Sequence, residues 1–255
     1  MTLGSLFSGI GGIDLGFERA GFTVSWQVEI DDYCRRVLAK HWPDVRRHDD
    51  VRTFPPGDAN EWRVDCIAGG FPCQDISAAN PKGAGIGASR SGLWSEFARI
   101  IDVVRPRFVV VENVAALLWP NREERMGRVL GDLARLGFDA DWGVLPACSF
   151  GAPHTRERVF IVAYAQRPLG GPGGPDDCGM DYGRVCLRPY ERPKAESSGR
   201  TGDGGKAVRG WWETEPRVGR VADGIPRRLD RLRGLGNAVV PQVAEWIARR
   251  IKEAA

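Results

Sequence analysis

Val64-Asp65-Cys66-Ile67-Ala68-Gly69-Gly70-Phe71-Pro72-Cys73-Gln74 is the stretch that decides the reading of this chain. A short apolar run bounded by turn residues predicts a buried strand, here Val64 to Ala68. Two glycines and a proline then shape the backbone into a tight loop. Cys73 stands in that loop, just past the strand end, where a nucleophile would be presented. A free cysteine more often packs as a small buried hydrophobe, so the loop alone leaves both roles open.

Working outward, strands and helices alternate. Leu3 to Phe7 reads as a strand, followed by a glycine-rich turn and a helix through Glu18. Val24 to Glu29 is a second strand. Asp31 to His41 is a helix with acidic residues at its start, as the helix dipole favours. Leu93, Trp94, Phe97, Ile100, Ile101 and Val104 recur at the 3.6-residue period of an amphipathic helix. Phe108 to Val111 is an apolar strand with Glu112 at its C-terminal end. Arg122 to Leu136 is a helix closed by Gly137. Val159 to Val162 is a last strand, expected to pair with the stretch Trp142 to Leu145. The pattern predicts an α/β fold: a doubly wound, mostly parallel sheet. Such sheets bind ligands beyond the C-terminal ends of their strands. Phe7, Glu29, Cys73 and Glu112 all fall at or just past such ends.

The turn Phe7-Ser8-Gly9-Ile10-Gly11-Gly12 follows a strand and opens a helix, the setting in which backbone N–H groups meet a nucleotide-like ligand. Asp14 takes the third glycine place of the dinucleotide fingerprint, so that reading is weak. Glu29, 20 residues after Gly9, suits a carboxylate on ribose hydroxyls.

The chain resembles the cytosine-5 DNA methyltransferases, from Leu6 to about Ile161 and again from about Trp211 to Ile247. Gly69 to Gln74 is similar to that family's catalytic loop, and Phe7 to Gly12 to its cofactor loop. Glu112-Asn113-Val114 matches its Glu-Asn-Val motif. Arg156-Glu157-Arg158 matches the end of its Gln-x-Arg-x-Arg motif, with His154 in place of the glutamine. Gly236-Asn237 with Val239-Val240 matches its C-terminal motif. The stretch Trp211 to Arg233 is most similar to the short orphan enzymes of bacteriophages and prophages.

The resemblance implies a Rossmann-like S-adenosylmethionine-dependent methyltransferase acting on carbon 5 of cytosine in double-stranded DNA, on a base flipped out of the helix. It implies Cys73, Glu112, Arg156 and Arg158 as catalytic residues. It implies Phe7, Gly9, Gly11, Glu29, Asp50, Val51, Leu93, Asn237 and Val239 as S-adenosyl-L-methionine contacts, with Asp49 competing with Asp50 for its role. Pro81 to Gly87 is similar to a lid over the flipped base. A tRNA cytosine-5 methyltransferase and a non-catalytic nucleic-acid-binding relic are the alternative readings.

Composition bounds the rest. Residues 1–165, the expected catalytic and cofactor-binding domain, carry 19 Lys and Arg against 21 Asp and Glu. Residues 166–233 carry 14 against 10, almost all of the cations arginine, which suits a phosphate-facing recognition region. Within it, residues 166–210 hold 11 glycines and 5 prolines with no apolar period, so no packed core is expected there. Residues 234–255 are expected to form a helix returning to the first domain. The six cysteines show no zinc spacing, no metal is expected, and no leader or membrane-length apolar run is read. A cytoplasmic monomer with reduced thiols is the expectation.

If residues 166–233 dock DNA, affinity falls steeply with salt because neutralised phosphates release counterions. Neutralising Arg184, Arg188 and Arg192 together should weaken binding and flatten the slope of log affinity against log salt by roughly 3. An unaltered slope in filter-binding titrations would place the DNA surface elsewhere.

Overall fold

A computed structural model describes residues 1–72, 92–118, 123–166 and 234–255. The Cys73 loop, the expected lid at 81–87 and residues 167–233 lie outside the described residues. Seven strands form one sheet: β1 (Thr2–Leu6), β2 (Thr23–Val28), β3 (Arg46–His48), β4 (Cys66–Gly70), β5 (Phe108–Val114), β6 (Phe138–Pro146) and β7 (Glu157–Ala165). Their order is β3-β2-β1-β4-β5-β7-β6. The first five are parallel, and β7 runs antiparallel to both β5 and β6. The expected pairing of the last strand is found, with Trp142 opposite Ile161 and Leu145 opposite Arg158.

Successive side chains on a strand point to opposite faces, and the core divides accordingly. Leu6, Ile67, Val109, Val111 and Ile161 face α3 (Leu93–Val104) and α4 (Glu123–Arg135), where Trp94, Phe97, Ile100, Val129 and Leu133 are buried. Leu3, Cys66, Ala68, Val110 and Val162 face α1 (Gly12–Arg19) and the C-terminal helix α5 (Pro241–Ala254). The helix α2 (Asp32–His41) follows β2 and is capped by the Asp31 carboxylate, which accepts from Cys34 N at 3.0 Å. The helix period of Leu93 to Val104 is thus the buried face of α3, which Trp94 Nε1 ties to α4 by donating to Asp132 Oδ2 at 2.8 Å.

Three features differ from the expectation. The strand expected at Val64 to Ala68 is Cys66–Gly70, so Gly69 and Gly70 belong to the ladder with β5 and not to the loop. β5 continues past Val111 to Val114, so Glu112 lies within the strand, not at its end. The reason is the antiparallel ladder with β7, which runs from Phe108 opposite Tyr164 to Val114 opposite Arg158. β3 carries only Arg46-Arg47-His48 and has no apolar signature, yet it closes the sheet beside β2.

α5 and α1 meet where α1 is smallest. A Cβ on Gly16 would lie 2.5 Å from Pro241 O and 2.6 Å from the Ala244 Cβ, and one on Gly12 would lie 2.3 Å from Val239 O. The missing side chains allow the segment 239–244 to lie directly on α1. Beneath this contact Asp14 is fully buried, accepting from Ser5 Oγ at 3.0 Å and from Gln27 Nε2 at 2.9 Å. Burial outweighs these hydrogen bonds and raises its carboxyl from 3.8 to about 6.

A carboxyl raised on folding contributes stability below its unfolded value and loses it as pH rises through its folded value. Asp14 alone should therefore lower the unfolding free energy by on the order of 3 kcal/mol between about pH 4 and pH 7. Urea titrations of Asp14→Asn should show a pH dependence flatter than the parent's by about that amount. Parallel curves would assign the pH dependence to other groups.

Candidate active site

At the C-terminal ends of the parallel strands lies a cavity of about 370 Å³. The turn after β1 forms its floor. Phe7 adopts φ 52° and Gly9 φ 56°, left-handed conformations that swing the chain sharply from strand to helix. The turn is held by backbone bonds, Ser8 N to Val28 O at 3.1 Å and Gly11 N to Ser8 O at 2.9 Å. Open space stands over Gly9, where a Cβ would meet nothing within 4 Å.

Glu29, just past β2, binds this turn. Its Oε2 accepts from Gly9 N at 2.7 Å, and its Oε1 accepts from Asp31 N at 2.8 Å. The carboxylate thus fixes the turn while lining the cavity. Asp50 lines it too, and its Oδ1 accepts from Arg52 N at 2.9 Å. Asp49 also lines the cavity, its side chain 72% exposed against 32% for Asp50. Val51, Leu93, Asn237 and Val239 complete the expected set on the walls.

Gly11 is not on the wall. It caps α1 at φ 86° with its Cα against α2, and a Cβ there would strike the Trp42 ring at 2.4 Å. Gly12 and Ser8 of the same loop line the cavity in its place, together with Ile30, which the sequence did not mark.

The far end of the same cavity is built by β4, β5 and β7. Gly70 pairs with Glu112, and Glu112 pairs with Phe160. The buried Glu112 carboxylate meets Arg158, whose Nε lies 2.9 Å from Oε1. Desolvation raises the Glu112 carboxyl to about 7, opposed chiefly by the Arg158 charge and then by that of Arg156. The site exists because position 70 is glycine: a Cβ there would stand 2.4 Å from Glu112 Oε2. Asn113 points to the opposite face of β5 and donates from Nδ2 to Phe71 O at 3.0 Å. It ties β5 to the loop that leads into Pro72 and Cys73, a role marked in the sequence only by its place in Glu-Asn-Val.

Arg156 lies off the cavity, contrary to a place beside the reacting base. It donates from one terminal nitrogen to Gly236 O and Ala238 O, both at 2.6 Å, from a backbone of φ 33°. Burial, then the neighbouring Arg158 charge, lowers its pKa. His154 is exposed, in the turn before β7.

The site defines a class. The family model for C-5 cytosine-specific DNA methylases matches residues 1–169, and the chain belongs to that family. It is similar to the type II methyltransferase M2.BsuMI of Bacillus subtilis (strain 168), 38% identical over 170 residues, covering 64% of this chain and 42% of the relative. It is similar to M.NgoFVII of Neisseria gonorrhoeae, 35% identical over 186 residues, covering 73% and 50%. The chain spans about half the length of these curated relatives. Among solved structures, an E. coli prophage protein described as a DNA modification methyltransferase matches with a TM-score of 0.55 at 28% identity, over 65% of this chain and 47% of that one. The fold and the family are those of S-adenosylmethionine-dependent methyltransferases.

Removing the Arg158 guanidinium leaves the burial of Glu112 unopposed by its nearest cation. In Arg158→Met the Glu112 carboxyl should titrate above pH 7, read by ¹³C NMR of labelled glutamate. A titration at or below the parent's would show that the pair does not set the Glu112 charge.

Proposed function

We propose that the protein transfers a methyl group from S-adenosyl-L-methionine to carbon 5 of cytosine in double-stranded DNA. The observation that carries this reading is the continuity of one cavity between Glu29 at one end and the Glu112–Arg158 pair at the other. An adenosine-like group and a flipped base can then lie side by side without bulk water between them.

The cavity fits such a cofactor. Apolar walls from Phe7, Val51 and Leu93 carry a few convergent polar groups, Glu29, Asp50 and Asn237, as nucleoside pockets do. Phe7, Gly9, Glu29, Asp50, Val51, Leu93, Asn237 and Val239 would hold it, with Gly11 shaping the turn from behind. When bound, the cofactor supplies an electrophilic methyl group.

The protein's own residues would prepare the acceptor. Carbon 5 of cytosine is a poor nucleophile until a thiolate adds to carbon 6 and makes the ring enamine-like. Cys73 is assigned that addition, because Asn113 holds the chain at Phe71, two residues before it. Glu112, held near neutrality by burial, shares a proton with ring nitrogen 3. Arg158 restrains the Glu112 carboxylate and offers its remaining N–H groups to the base carbonyl. After methylation water takes the carbon 5 proton, and the Cys73–carbon 6 bond breaks with its electron pair returning to sulfur, regenerating the thiolate. Residues 1–165 serve as the catalytic body, 166–233 as the recognition region and 234–255 as the returning segment, in a monomer working in the cytoplasm.

DNA with 5-fluorocytosine at the target blocks that last proton loss. The parent protein with cofactor should form a denaturant-resistant adduct with it, and Cys73→Ala should form none while binding cofactor as the parent does. Methyl transfer from labelled cofactor to tRNA but not to DNA would overturn the substrate assignment, and turnover by Cys73→Ala the mechanism.

A further inference from the structure

We infer that Arg156 is a positioning residue, a latch that fastens the 236–239 wall of the cofactor cavity to the strand carrying Arg158. The inference rests on the proposed cofactor reading and departs from a catalytic role for Arg156. Segment 236–239 supplies Asn237 and Val239 to the cavity, yet its own regular structure is only the end of one helical turn at 234–237. On one side it lies on α1, where Gly12 leaves room for Val239 O. On the other side Arg156 reaches it, bonding the carbonyls of Gly236 and Ala238 at 2.6 Å each.

Part of this guanidinium is committed. Its Nε is buried without a partner among the described residues, and one of its two terminal nitrogens is spent on carbonyls 80 and 82 residues away in sequence. The backbone at Arg156 is left-handed, φ 33°, a conformation disfavoured for a residue with a Cβ. That turn separates Arg156, directed to segment 236–239, from Arg158, directed to Glu112. One short stretch of chain thus grips both the 236–239 wall and the Glu112 end of the cavity.

The test uses the full chain, with variants Arg156→Met, Arg156→Lys and Arg156→Gln. Calorimetry with S-adenosylhomocysteine reads the cofactor pocket, and amide hydrogen exchange reads residues 236–240. Loss of charged hydrogen bonds should weaken S-adenosylhomocysteine about tenfold in Arg156→Met and speed exchange at 236–240. Arg156→Lys, whose ammonium can donate to both carbonyls, should recover most of the affinity. At saturating cofactor, all variants that fold should form the 5-fluorocytosine adduct to the parent's extent. If Arg156→Met does not fold, binding tighter in the lysine than in the glutamine variant supports the latch, and equal binding overturns it. Unchanged affinity and exchange with lost adduct would overturn it in favour of contact with the base. A parent that binds S-adenosylhomocysteine but modifies neither DNA nor tRNA would sink the proposed function and leave the latch standing.

Discussion

The register of three neighbouring strands governs everything else. Gly70 opposite Glu112, Glu112 opposite Phe160 and Val114 opposite Arg158 are one set of pairings. Side chains alternate across a sheet with a period of two, so a slip of one residue would turn Glu112 to the other face. A slip that set Phe71 opposite it would also bring a side chain against its carboxylate in place of the Gly70 hydrogen. The buried acid is tolerable only because that register also delivers Arg158, 2.9 Å away, as its counter-charge.

The same ladder gives the cavity two unlike ends. Its parallel half ends in a turn with open space over Gly9 and the Glu29 carboxylate beside it, which suits a nucleoside. Its antiparallel half brings a cation back beside an acid, which suits a ring that gains and loses a proton. α1 and α5 brace the sheet from one face, α3 and α4 from the other, so neither half can shift without disturbing a packed layer.

Much of this is legible in the sequence, because buried parallel strands and amphipathic helices leave strong local signals. Leu93 to Val104 shows the 3.6-residue period and is a helix over those residues. The edge strand Arg46–His48 is not legible, since three polar residues carry no period and its partner β2 defines it. The apolar run Phe108 to Val111 places Glu112 at a strand end, whereas the strand is prolonged by β7, far along the chain. Gly11 reads as a ligand contact because glycines in such turns usually are. Its φ of 86° and the Trp42 ring behind it assign the glycine to packing against α2. Arg156 differs from Arg158 in nothing but position, and no local pattern could send one to the C-terminal segment and the other to Glu112.

The cavity joins residues from opposite ends of the sequence, Gly12 from one and Val239 from the other, in backbone contact. Contacts so distant in sequence form late, because the loop-closure entropy precedes their reward. Residues 234–239 precede α5 in the chain, so until both are made the α1 face of the sheet lacks half of its cover. The nascent chain therefore lacks one wall of the pocket and one covering layer of the sheet together, and closing the pocket and burying that face are a single event.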